Sequence, residues 1–229
     1  DELPAALDTP VHSVVSPNGV SRPVSLSGDV NAQGQREWDL ATDYADDRVA
    51  TLSASALSGK WFATSFPDGQ FVSPLDLGGT TLGVYQHDGA HLLLLGYASS
   101  EENPALGQTR VVYSPPVVVY NFPLEVGAEW VSVGQVANGL IRGLPYAGRD
   151  TYQSKVEAAG VLDLPDVSFT QALRVRTTTT IEPAVGNVIV RRQSGWVFEC
   201  FGEVARATAA DGETNDDFTT TAELRRLGR

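Results

Sequence analysis

SFTQALRVRTTTTI, residues 168–181, sets Leu173, Val175 and Ile181 in alternation with Arg174, Arg176 and Thr180. A period of two belongs to extended chain, in which successive side chains point to opposite faces, so this stretch reads as a strand with one dry and one wet side. The same device recurs on both sides of it. In TYQSKVEAAG, residues 151–160, Tyr152, Val156 and Ala158 oppose Gln153, Lys155 and Glu157. NVIVRRQSGWVFE (187–199), EVARATA (203–209) and DFTTTAELR (217–225) continue an antiparallel meander; in the last, Phe218, Thr220, Ala222 and Leu224 share a side.

Upstream, WFATSF (61–66), TTLGVYQ (80–86), HLLLLGY (91–97) and TRVVY (109–113) read as strands, with PDG, HDG and ENPALG between them supplying turns. WVSVGQVA and LIRGLPY flank Asn138-Gly139, a pair whose tolerance of positive φ predicts a two-residue hairpin turn. RVATLSASALSG, residues 48–59, is the one helix the pattern predicts: Val49, Leu52, Ala56 and Leu57 share a face, Asp46 or Asp47 caps it and Gly59 ends it. In VYSPPVVVYNFPLEVGAEW, residues 112–130, Pro115, Pro116 and Pro123 lack the donors of a central strand. The stretch therefore reads as an edge strand or crossing connector, with Val117, Val119 and Phe122 inward and Trp130 anchoring the next strand.

The expected fold is all-β: a large curved antiparallel sheet or open half-barrel with at most one or two short helices. The 229 residues suffice for a core without disulfides, and 22 glycines and 13 prolines are spread along the whole length. Residues 1–35, rich in Pro and Gly, are expected to be an irregular lead or tether in which VHSVVS and VSLSGDV form short edge strands. Residues 36–229 are expected to form a single β-rich domain.

The formal charge of −12 makes nucleic acid and anionic lipid surfaces poor partners. The chain contains no methionine and no apolar run long enough to span a bilayer, and it starts DELPAALDTP. These features are read as a mature exported chain of the periplasm, outer envelope or exterior, with a lipid anchor on the precursor as an option. The sole cysteine, Cys200, alternates with Trp196 and Phe198 and reads as a buried, inert thiol.

No nucleophile elbow, HExxH, Walker loop or dinucleotide fingerprint is present. His87 and His91, set around one turn with Asp88 between, offer two metal ligands without a third, and His12 lies apart. DGETNDD, residues 211–217, lacks EF-hand spacing and reads as an acidic hairpin loop, and DYADDR, residues 43–48, as a solvated turn and helix cap. No cofactor and no metal is expected. The aromatics Trp61, Phe62, Phe66, Tyr120, Phe122 and Trp130 are core, or else they line a concave apolar cavity that binds a ligand.

One likeness runs from about residue 110 to 210. YNFPLEVGAEW, AAGVLDLPDVSFTQALRVRTT and SGWVFECFGEVAR, in that order, resemble a pattern of exported bacterial proteins and lipoproteins. These are similar in outline to lipoprotein carriers, large antiparallel half-barrels that in some families hold acyl chains. The resemblance implies a non-enzymatic envelope protein acting as an interaction module with an envelope protein. Its alternative is a carrier of a hydrophobic small molecule such as a lipid or acyl chain on the concave face. A hydrolase using dispersed acidic residues is the third reading, since with 28 acidic residues some pair lies at catalytic distance.

Overall fold

A computed structural model describes residues 7–228. The alternation around residue 168 extends well beyond the quoted stretch. Short strands come first: β1 (Val11–Val15), β2 (Arg22–Pro23), β3 (Asp29–Val30), β4 (Arg36–Asp39), β5 (Arg48–Leu52), β6 (Ser55–Ala56) and β7 (Phe71–Pro74). Then come β8 (Thr81–His87), β9 (His91–Ser99), β10 (Arg110–Asn121), β11 (Glu129–Ile141), β12 (Leu144–Asp163), β13 (Ser168–Pro183) and β14 (Ile189–Phe198). The chain ends with β15 (Gly202–Thr208), β16 (Thr220–Thr221) and β17 (Glu223–Leu227). Among the described residues the one helical element is a single 3-10 turn, Ala63–Ser65.

Hydrogen bonds join thirteen strands in the order β5-β1-β17-β15-β14-β13-β12-β11-β10-β9-β8-β7-β6, all antiparallel, with β3 and β4 attached beside β12 and a separate β2-β16 pair. The first and last strands of this path, β5 and β6, are consecutive in the chain. Only Ser53 and Ala54 separate them, so the two edges lie within about 10 Å of each other. The sheet therefore curls round until its edges meet at one corner. No ladder joins β5 to β6, and the sheet stays open as a split cylinder. At the seam Leu7 bridges Ala54, and the Asp8 amide donates to the Ala54 carbonyl at 2.7 Å.

Both faces of this sheet bury apolar residues, and register decides which. Val156, Val175 and Val197 stand side by side on the inner face with Trp130, Tyr120 and Leu124. A bulge then places Ala158 opposite Arg174 rather than beside the Val156–Val175 pair, so Val156 and Ala158 face opposite sides despite their even spacing. Beyond it, Leu162 joins Trp38, Leu26, Phe169, Trp196 and Phe218 in an outer core. The Trp38 and Trp196 rings meet edge to face at 6.0 Å, and the Trp38 indole donates to the Leu26 carbonyl at 2.9 Å. A second outer core packs Leu57, Phe62 and Phe66 onto Val72, Val84 and Leu95.

The covering segments are clasped by arginines that alternation assigned to a wet face. Arg174 is 4% exposed: it donates to Ser194 Oγ, to the Leu26 carbonyl and to Asp217. Arg176 and Arg192 both hold Asp216. DGETNDD is thus a loop fastened to the sheet by three guanidiniums. Likewise DYADDR is a turn but caps no helix, and its Asp47 is buried between Arg22 (2.7 Å) and Arg226, with Tyr44 stacked beneath the Arg22 guanidinium at 4.1 Å. The cation replaces water, which is why these polar residues sit inside.

Several other expectations are corrected. Residues 48–59 form β5, β6 and a turn: the helical spacing of Val49 and Leu52 is outweighed by pairing of β5 with β1, and Val49 is 64% exposed. WFATSF is the 3-10 turn and its flanks, laid over the second outer core rather than paired as a strand. FTTTAEL is interrupted at Ala222, between β16 and β17. Asn138-Gly139 lies within β11 at a bulge, and the hairpin turn is Arg142-Gly143, whose φ values of 50° and 75° suit a type I′ turn. β1 is flanked by β5 and β17, and Val24 and Leu26 belong to the outer core, so residues 11–35 contribute to the sheet and its cover. Residues 1–6 of the expected tether lie outside the described residues.

The proline segment is β10, a strand inside the sheet between β9 and β11 rather than an edge. Its register against β9 jumps between Val112 and Val117, so Pro115 and Pro116 fall where no ladder bond is needed. On the β11 side, side chains take over the ladder: Ser132 Oγ accepts from the Val118 amide at 2.9 Å, and the Trp130 indole donates to the Val118 carbonyl at 3.1 Å. Ser132→Ala strands a backbone amide in a part-buried position and should destabilise the protein by about 1–3 kcal/mol in urea denaturation, whereas Ser73→Ala, away from this contact, should be close to neutral.

Candidate functional site

The inner face is where chemistry accumulates. Six of the seven tyrosines, Tyr85, Tyr97, Tyr113, Tyr120, Tyr146 and Tyr152, form one electrostatically coupled group there, while Tyr44 lies apart in the outer clasp. Glycines make the room. Tyr113 on β10 crosses β11 over Gly134, where a Cβ would stand 2.5 Å from the ring, and its hydroxyl donates to Asp150 Oδ2 on β12 at 2.5 Å. The Tyr85 ring lies over Gly83 in the same way, and at Gly148 a Cβ would stand 2.8 Å from both the Tyr146 hydroxyl and the Glu182 carbonyl oxygen.

Curling brings distant strands face to face across the interior. Burial pushes Tyr85 on β8 up to about 12, and its hydroxyl also feels Arg206 and Glu203 on β15 and Arg225 on β17. Tyr120 is raised by burial and then by Glu203. Arg206 grips Glu203 with Nε at 3.0 Å and Nη2 at 2.8 Å; burial pulls this guanidinium's pKa down, and the partner carboxylate more than reverses it. Toward the Arg142-Gly143 end, Asp150 is 3% exposed and its Oδ1 has no hydrogen-bond partner. Burial raises its pKa, against the opposing pull of the Tyr113 hydroxyl and the Arg191 charge.

At the other end of the inner face lies a cleft of about 650 Å3. Leu173 and Val197 form part of its floor, and Phe122, Pro123, Leu124 and Phe198 rise around them. Its polar rim consists of Gln35, Arg36, Thr170, Gln171 and Glu199. Arg36 is held there by a bond to the Ser27 carbonyl at 2.5 Å. Val197 is paired with Glu203, so the apolar floor runs directly into the Glu203–Arg206 pair with Tyr120 above it. The result is an apolar throat with a charged inner end and a hydrogen-bonding rim.

The aromatics singled out from sequence separate into two groups. Trp61, Phe62 and Phe66 belong to the second outer core, with Phe62 and Phe66 fully buried and the Trp61 indole bonded to the Ser99 carbonyl at 2.9 Å. Of the other three, Phe122 lines the cleft, whereas Tyr120 and Trp130 do not line it and pack beside it in the inner cluster of Val156, Val175 and Val197, of which Val197 reaches the cleft floor. Sequence reading missed Leu173, Val197, Gln171 and Arg36, which come from β13, β14 and β4 and share no local pattern; Asp150 was hidden within ordinary alternation.

The remaining candidates are placed elsewhere. His91 faces Asp88 at 3.1 Å and the His87 ring meets Phe122 at 5.6 Å, and among the described residues no three His, Cys, Asp or Glu converge as metal ligands. Cys200 is exposed, contrary to its alternation with Trp196 and Phe198. The strand ends at Phe198, and Cys200 takes φ 66° in the turn to β15. Compared with known proteins, the chain matches no family model, no curated protein and no solved structure.

Because the folded state raises the pKa of Asp150 above its ordinary value of 3.8, it binds that proton more tightly than the unfolded chain does. Its contribution to stability is therefore full below 3.8 and is lost as pH rises through the folded value. Asp150→Asn retains an acceptor for Tyr113 and removes the titration. Urea denaturation at stepped pH should show the variant gaining on the native protein as pH rises from 4 to 7; a stability difference independent of pH would refute the assignment.

Proposed function

We propose that this chain is a non-enzymatic, exported binding protein that holds an apolar or amphipathic small molecule in the cleft between the Phe122–Leu124 segment and strands β12–β14. The observation that carries this reading is the cleft itself, whose volume of about 650 Å3 falls within the range of small-molecule sites, which are typically apolar with a few placed polar groups. Apolar contact with Leu173, Val197, Phe122 and Phe198 supplies affinity, and the rim amides and the charges of Arg36 and Glu199 orient the ligand's polar part. Of the two roles that the resemblance suggested, the geometry favours the carrier over the interaction module. The hydrolase reading needs two carboxylates flanking a bond. Glu199 is the single carboxylate among the residues lining the cleft, and Glu203 beyond its inner end is engaged by Arg206 at 2.8 and 3.0 Å.

The test is uptake of N-phenyl-1-naphthylamine followed by fluorescence, together with native mass spectrometry of gently extracted protein. The native chain should enhance the probe's emission saturably. Leu173→Glu, which puts a charge on the floor, and Thr170→Trp, which fills the cleft from its exposed rim, should each weaken uptake by about tenfold or more. No uptake by the native protein, or uptake unchanged in Thr170→Trp, would refute the proposal.

A further inference from the structure

The turn between β14 and β15 sets one aromatic ring out in solvent. Phe201 is 62% exposed, and among the described residues it is the one exposed aromatic side chain; every other Phe, Tyr and Trp is buried or half-buried. The turn runs from Phe198 to Phe201. It is closed by the Phe201 amide, which donates to the Phe198 carbonyl at 3.1 Å, and its third residue, Cys200, takes φ 66°. That is the shape of a type II turn, in which this position ordinarily falls to glycine because a Cβ is strained there. A strained backbone persists only where its surroundings hold it. Here two rings do so: Phe201 meets Phe169 at 5.5 Å and Phe198 at 6.0 Å, and those two meet each other at 4.8 Å.

Both partners tie this ring to the cleft. Phe198 and its neighbour Glu199 line the cleft, and Phe169 directly precedes Thr170 and Gln171 of its rim. Phe169 is buried and Phe198 half-buried, so the three rings grade from core to solvent, with the exposed one standing beyond the lining residues. The apolar surface that begins at Leu173 and Val197 and rises at Phe198 therefore continues past the edge of the cleft onto Phe201. A compact ligand that fits within the cleft leaves this ring bare. A linear alkyl chain seated on Leu173 and Val197 reaches past Phe198 and lies along the ring, which removes apolar surface of both from water. A protein partner is a poorer match, because the anchors of an interface sit at the centre of a broad buried patch and this is a single ring.

We infer that Phe201 is a selectivity residue of the cleft: it extends the apolar wall so that a linear alkyl chain longer than the cleft is preferred to a compact molecule of the same carbon number. The inference rests on the binding function proposed for the cleft and names the class of molecule that the cleft takes.

Displacement of N-phenyl-1-naphthylamine from the full chain tests it, with straight-chain 1-alkanols from hexanol to dodecanol and with 1-adamantanol, a compact alcohol with the carbon number of 1-decanol. For the native protein each added methylene should strengthen displacement by roughly two- to fourfold up to 1-dodecanol, and 1-decanol should outcompete 1-adamantanol. In Phe201→Ala, an exposed position and so compatible with folding, 1-hexanol and 1-adamantanol should compete as before, while 1-dodecanol should weaken by about fivefold or more. Phe201→Leu should restore part of that loss. If the native protein takes up no probe, the binding function of the cleft fails and the inference fails with it. Where the probe is bound, three results overturn the inference alone. These are equal weakening at every chain length in Phe201→Ala, as for a ring that only braces Phe198; no change at any length; and native preference for 1-adamantanol over 1-decanol.

Discussion

The two-residue link between β5 and β6 is the constraint on which the rest of the structure depends. It joins strands at opposite ends of a thirteen-strand path, so the sheet cannot lie flat or twist open as large sheets otherwise do. Once curled, the sheet has an inside. Tyr85 on β8 comes to face Glu203 and Arg206 on β15, residues more than one hundred positions away, and the valines of β12, β13 and β14 become a shared floor. Because no ladder seals the seam, the cylinder retains two unpaired edges, both short, which limits the risk of edge-to-edge association.

Enclosure on one face leaves the other to be covered, and the chain does this with irregular segments rather than helices. Segments 16–44 and 209–222 lie over Trp196 and Leu162, and residues 57–70 lie over Val84 and Leu95. Loops cannot satisfy their own backbone groups as helices do, so they need external donors and acceptors. The buried arginines serve that need. Arg226 donates to the Leu40 and Thr42 carbonyls as well as to Asp47, and Arg174 to the Leu26 carbonyl as well as to Asp217. Removing either partner of such a pair leaves a buried charge alone, a larger loss than the pair's own contribution.

Division of labour along the inner face follows from the same geometry. Its middle is closed by the Glu203–Arg206 pair and the surrounding tyrosines. One end opens into the apolar cleft, and the other runs out through Tyr146 toward the Arg142-Gly143 turn. The long hairpin β11–β12 spans this length, which explains why its strands have 13 and 20 residues, beyond the ordinary range for strands.

Much of this was legible in the residues alone. Alternation around Leu173 and Val175, turn chemistry at PDG and HDG, and the even spread of Gly and Pro determined an all-β antiparallel protein, because a period of two and frequent turns are local properties of the backbone. Tyr120, Phe122 and Trp130 could be singled out because they cluster in one short segment. Position in the sheet was not local. Whether Asn138-Gly139 or Arg142-Gly143 makes the turn depends on register across two strands, Pro115 is tolerated in a central strand because Ser132 and Trp130 serve Val118 from β11, and Arg174 is buried because Leu26 and Asp217 come to lie over it. Tertiary structure decided which face is inside and which residues meet at the cleft, since a sheet's faces are equivalent to its sequence until curvature encloses one of them.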